Sequence, residues 1–196
     1  MKNIEAKIDE AFRENILLLR ENTVSGFLTD VLRSKYQFRE DDRKIEVISV
    51  YYHASSPLSA LFALPNYEYY SPDKTVRIAE LHLKEHGFND YSYADIQELC
   101  KEVLDENNIN YSAHLDGNGL PDVSNYWENQ LVLEIDFLTK CWKKAKEQSR
   151  SKILGFLESA DSGSGLYDLD NGYHLPFDID LDEYLKNQGF RFEKEM

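Results

Sequence analysis

The stretch Ile45-Glu46-Val47-Ile48-Ser49-Val50-Tyr51-Tyr52 decides how this chain is read. Its two alternating sets, Ile45/Val47/Tyr51 and Ile48/Val50/Tyr52, are both largely apolar. A strand with one wet face alternates apolar with polar, whereas one buried on both faces does not. The segment therefore predicts a central strand with something packed on each side of it. The elements around it must supply both the neighbouring strands and the covering layers.

Before it, Ile4, Ile8, Phe12 and Ile16 recur at helical spacing, predicting an amphipathic first helix to about Arg20. Thr23 is placed to cap a second helix with Val24, Phe27, Leu28, Val31 and Leu32 on its apolar side. The run Arg39 to Arg43 reads as a charged loop. Between Ser55 and Tyr70, two prolines and a tyrosine cluster suggest irregular chain or a short edge strand. Ser71-Pro72-Asp73 carries helix-start signals and predicts a helix to His86, stopped by Gly87. The alternation of Val76 and Ile78 favours a competing strand over Thr75 to Leu83.

Ser92 to Asp95 opens the best helix, with Ile96, Leu99, Cys100, Val103 and Leu104 on one stripe. Ile109 to Leu115 reads as a strand. Asn125 and Glu128 suit a capping box for a long helix to about Gln148, striped by Trp127, Leu131, Leu138, Trp142 and Ala145. Val132 to Phe137 alone would also suit a strand. Lys152 to Glu158 and Leu166 to Leu169 suggest two short strands, and Asp182 to Gln188 a last helix ending at Gly189. Helices and strands interleave without a repeat or a linker. The expectation is an α+β fold in a single globular domain, residues 1–196, with a small central sheet packed by about five or six helices.

Charge is the strongest compositional signal. The chain has 36 Asp+Glu against 22 Lys+Arg, a net charge of −14, with 42% hydrophobic and 13% aromatic residues. Disordered acidic chains lack those apolar groups, so a folded acidic domain is implied. From about 155 to 196 there are ten acids and three bases, whereas Lys140 to Lys152 holds six bases and one acid. Such a field repels nucleic acid and anionic lipid and attracts cationic surfaces. Apolar runs are too short to span a membrane, and the N-terminus has no signal-peptide core, so a cytoplasmic location is expected. Cys100 and Cys141 fall inside helical apolar patterns, as reduced core thiols do.

Two constellations suggest chemistry. His82-Leu83-Lys84-Glu85-His86 would, on a helix, project both imidazoles to one side, where they could share a metal ion. This five-residue H-x-x-E-H arrangement resembles that of the inverted zinc metallopeptidases. The resemblance implies His82 and His86 as zinc ligands and Glu85 as general base, with Glu128, Glu134 and Glu158 available as a third ligand. The second is the acidic run Asp168, Asp170, Asp178, Asp180, Asp182 and Glu183 around Gly172. It does not satisfy the EF-hand pattern, because Tyr167 and Leu169 occupy positions that need oxygen ligands. Ser162 and Ser164 lack the glycine spacing of a nucleophile elbow, and no phosphate-loop lysine follows.

The run suits instead an acidic face for a protein partner. Thirteen tyrosines, among them Tyr67, Tyr69, Tyr70 and Tyr173, offer large contact area at low entropy cost. The leading expectation is a non-enzymatic acidic protein-binding domain, an inhibitor or immunity-type partner of a basic protein. It would need no cofactor and bind through Asp168, Asp170, Tyr173, Asp178, Asp180, Asp182, Tyr67, Tyr69 and Tyr70. The alternatives are a zinc-dependent hydrolase built on the histidine motif and a structural or scaffold domain.

Overall fold

The computed structural model describes residues 2–33, 47–53, 56–64, 79–82, 93–111, 121, 127–159, 166–175, 179 and 181–187. Six strands form one sheet: β1 (Val47–His53), β2 (Ser56–Leu64), β3 (Ala79–His82), β4 (Leu154–Ser159), β5 (Leu166–Asp168) and β6 (Tyr173–Leu175). Their spatial order is β3-β2-β1-β4-β5-β6. All neighbours run antiparallel except β1 and β4, which pair in parallel, Ile48 opposite Gly155 and Val50 opposite Leu157. Two three-stranded meanders thus meet at a parallel seam. A parallel pair cannot be closed by a tight turn and needs a long crossover. Between β3 and β4 the described residues include two helices, α3 (Tyr93–Glu106) and α4 (Trp127–Ser149).

The N-terminal residues form one continuous helical rod: α1 (Lys2–Phe12), a π-helical turn (Arg13–Leu17) and α2 (Leu18–Leu32). The break expected near Arg20 and the cap at Thr23 are absent. No proline or paired glycine interrupts the segment, and Thr23 lies exposed within the helix. In the π turn the Leu18 N–H reaches the Arg13 carbonyl five residues back. That wide turn passes the buried stripe from Ile8, Phe12 and Ile16 to Leu17, Val24, Leu28 and Val31. A short helix, α5 (Leu181–Asn187), is the last described element.

The expected five or six helices around a small sheet are therefore corrected. The described residues contain three long helices, the rod, α3 and α4, and one short one, with a broad sheet. The segment 56–64 is no edge strand: β2 has nine residues and is hydrogen-bonded on both sides. Pro57 is tolerated because it sits at the strand's start, beside the bulge between Tyr51 and His53. Residues 79–82, expected at the end of a helix or within the competing strand over Thr75 to Leu83, are β3, so pairing with β2 selects the strand over the local helix signal. Ile109 to Tyr111 are irregular, and the remainder of that expected strand lies outside the described residues.

Side-chain alternation on the seam sorts the core into two clusters. Ile48, Val50 and Leu157 point into the helical layer, against Phe12, Leu28, Val31, Ile96, Leu138, Cys141, Trp142 and Ala145. Val47, Leu154 and Phe156 point the other way and join Leu166 and Leu175, with Ile179 and Tyr184 packed over them. The seam is buried on both faces, as the opening octapeptide requires. Within the layer, α2 and α4 run side by side in the same direction, from Glu21 beside Lys140 to Thr29 beside Gln148.

Trp142 is fully buried and lies flat against Gly155 of β4. A Cβ at position 155 would overlap the indole atoms Cε2 and Cζ2. Gly155→Ala is expected to cost about 1–3 kcal/mol of unfolding free energy, the usual range for overpacking. The cost should shrink in a Trp142→Leu background, measured as a coupling in urea titrations of the four proteins. Equal costs in both backgrounds would show that the indole does not set the constraint.

Candidate functional site

The C-terminal acids are placed by a turn that follows β5. Asp168 is 3% exposed. Its Oδ1 accepts the backbone N–H groups of Asp170 (2.8 Å) and Asn171 (3.0 Å). Its Oδ2 accepts the Asn171 side-chain amide (2.8 Å) and the Tyr184 hydroxyl (2.6 Å). A buried carboxylate is tolerated when donors surround it, and here four do. The turn closes with the Gly172 N–H on the Asp168 carbonyl at φ +76° for Gly172, a left-handed conformation that favours glycine.

Asp170 is equally committed. Its Oδ2 accepts the Gly155 N–H at 2.9 Å, and its Oδ1 lies 2.7 Å from Lys146 Nζ. The same ammonium donates to the Ile153 carbonyl (2.6 Å) and sits 6.0 Å from the Trp142 ring centroid. Lys146 thereby ties α4 to the start of β4 and to the turn. The structure thus brings Asp168 and Asp170 together, but as internal fasteners rather than as an open face. Burial and then the Asp168 carboxylate push the Tyr184 hydroxyl pKa up, so it stays a proton donor.

Tyr173 is 62% exposed on the edge strand β6, and Tyr167 stacks at a tilt on His174 with ring centroids 4.7 Å apart. Asp182 lies in α5. Asp178, Asp180, Tyr67, Tyr69 and Tyr70 lie outside the described residues.

The histidine motif is not presented on a helix at its first member. His82 is the last residue of β3, opposite Ala60 of β2. The four-residue helical spacing that would aim two imidazoles at one ion does not apply there, and Glu85 and His86 lie outside the described residues. Of the possible third ligands, Glu134 is 2% exposed on α4, Glu128 also lies on α4, and Glu158 lies in β4. Among the described residues, no three His, Cys, Asp or Glu side chains are grouped to hold a metal ion.

Two features escaped the sequence reading. The basic run on α4 is partly neutralised by Glu21, whose carboxylate lies 2.7 Å from Lys140 Nζ and 3.2 Å from Lys144 Nζ. These two ammonium groups hold the Glu21 pKa below the usual carboxylate value. Lys140, Lys143 and Lys144 also line a shallow depression with Asp136, Thr139 and Glu147, a surface of mixed sign. Second, the exposed acids of α3 form a single stripe. Asp95, Glu98, Glu102, Asp105 and Glu106 are all exposed, opposite the buried Ile96, Leu99, Cys100 and Val103. Their spacing of three and four residues places them on one side of the helix. The signal was present in the sequence as the polar complement of the apolar stripe.

Comparison with family profiles, characterised proteins and solved structures finds no match to this chain. No helix among the described residues is long and apolar enough to cross a membrane.

Two predictions test this geometry. Asp168→Ala should cost about 3 kcal/mol or more, because backbone and side-chain donors lose a charged acceptor together. A loss under about 1 kcal/mol in urea titration would mean that water replaces the carboxylate freely. Burial pushes the thiol of Cys100 up to about 12 and that of Cys141 up to about 11. Neither thiolate is populated at neutral pH, so native protein should resist a thiol-disulfide reagent at pH 8 and release two thiols in guanidinium. Rapid modification of either cysteine in the folded protein would show that its thiol is accessible and reactive.

Proposed function

We propose that this chain is a non-enzymatic acidic protein-binding domain, of the inhibitor or immunity type, that docks on a basic protein. The observation that carries the reading is the outer face of α3. Five carboxylates share one side of a fourteen-residue helix whose only base is Lys101. The apolar stripe beneath fixes that helix on the rod, so its charges are presented by a rigid support. Tyr111, just past the helix, has its pKa raised by burial, by a hydrogen bond with Asp105 and by the charge of Glu98.

Charge arranged in this way accelerates encounter with a cationic surface and sets orientation more than it sets final affinity. A cytoplasmic location belongs to the same reading and is supported by two free, buried cysteines. The acids Asp178, Asp180 and Asp182 remain part of the proposed acidic surface. Asp168 and Asp170 serve it indirectly, by building the turn beside α5.

The test uses a basic protein captured at low salt. Neutralising Glu98, Glu102 and Asp105 together as Gln, Gln and Asn should lower the association rate about tenfold and flatten its dependence on salt. The triple change Asp178→Asn, Asp180→Asn, Asp182→Asn reports separately on the C-terminal acids. If neither set alters rate or salt dependence, the electrostatic docking reading fails.

A further inference from the structure

The turn after β5 contains the step Asn171-Gly172, and both residues are exposed. Such a step is open to an internal reaction, because glycine puts no side chain in front of its own amide nitrogen. In an unfolded chain the Gly172 nitrogen loses its proton and bonds to the Asn171 side-chain carbonyl carbon, and ammonia leaves. Water then opens the cyclic imide at one of its carbonyls. Cleavage on the side-chain side leaves aspartate at 171, and cleavage on the main-chain side leaves isoaspartate. Solvent reaches both residues, so geometry is what restrains the reaction here.

Both reacting groups are held. The Gly172 N–H donates to the Asp168 carbonyl at 2.7 Å, so the attacking nitrogen keeps its proton and its place. The Asn171 side-chain amide donates to Asp168 Oδ2 at 2.8 Å, and the Asn171 N–H donates to Oδ1 at 3.0 Å. The leaving nitrogen is thus fastened to a carboxylate, which has no proton to give it.

We propose that Asn171 is a latent modification site, shielded while the 168–172 turn is closed and converted to aspartate or isoaspartate only from its open form. Loss of ammonia makes the change one-way, and the same contacts penalise the product. A carboxylate at 171 replaces a donor to Asp168 Oδ2 with a second negative charge beside it. The Tyr184 hydroxyl donates to that same oxygen at 2.6 Å, so the conversion strikes the point where α5 meets the turn.

Incubation of the full chain in warm neutral buffer, followed by peptide mass mapping, tests the shield. The map separates Asn171 from the step Asn118-Gly119, which lies outside the described residues. Conversion at Asn171 should be at least about tenfold slower in native protein than in guanidinium, since reaction from an open form tracks its population. Equal rates in the two states would overturn the proposal. The penalty on the product is read by urea titration of Asn171→Asp beside Asn171→Ala, which removes the same donor without adding charge. Asn171→Asp should lower the folding equilibrium constant about tenfold more than Asn171→Ala does. Equal stability of the two variants would overturn the predicted charge conflict. The rate comparison needs no variant and stands even if either one fails to fold.

Discussion

The close approach of Trp142 to Gly155 sets the distance between the helical layer and the sheet. A large flat ring against bare backbone gives much buried area with no room for a methyl group, so α4 has one permitted position over β4. From that position the rest of α4 follows. Leu138, Cys141 and Ala145 point into the core beside α2, and Lys146 reaches the start of β4 at Ile153 and the turn at Asp170. The ion pairs of Glu21 with Lys140 and Lys144 lie on the exposed flank of the same contact and add little compared with it.

The acid surplus of the chain is divided between two physical roles. Asp168 and Asp170 are inside, where each negative charge is compensated by donors or by a cation at hydrogen-bonding distance. Removing either partner would leave an uncompensated charge, so these acids specify geometry rather than add surface potential. Another share lies outward on α3, where five exposed carboxylates repel one another in water at modest cost. Sequence counts treat all acids alike, and only the fold separates those that build a turn from those that create a field.

How legible this was in the chain varied with the kind of signal. The seam strand, the α3 stripe, the long α4 helix and the strands near 154 and 166 all follow from periodicity, because their buried faces are apolar over several turns or pleats. Strand β2 was obscured because Ser56 to Leu64 is built largely from Ser, Ala and Leu, which have little β preference, and is made a strand by pairing with β1 and β3. The continuous rod was obscured for the opposite reason. Polar Arg20 to Thr23 resembles a break, yet tertiary packing of Leu17 and Val24 on either side carries the helix through it. The inward turn of Asp168 and Asp170 had no local signature at all, since their partners Tyr184, Lys146 and Gly155 are placed by topology.

That topology also separates the two faces of the seam. The helices carrying the acidic stripe cover one face of the β1/β4 seam, and α5 covers the other. Adjacent residues of the same strands therefore serve opposite faces: Val47 and Phe156 support α5, whereas Ile48 and Leu157 support the helical layer. Among the described residues, the seam joins the two faces. Backbone pairing on both sides and apolar packing on both faces hold β1 and β4 rigidly, so the two faces are expected to act independently.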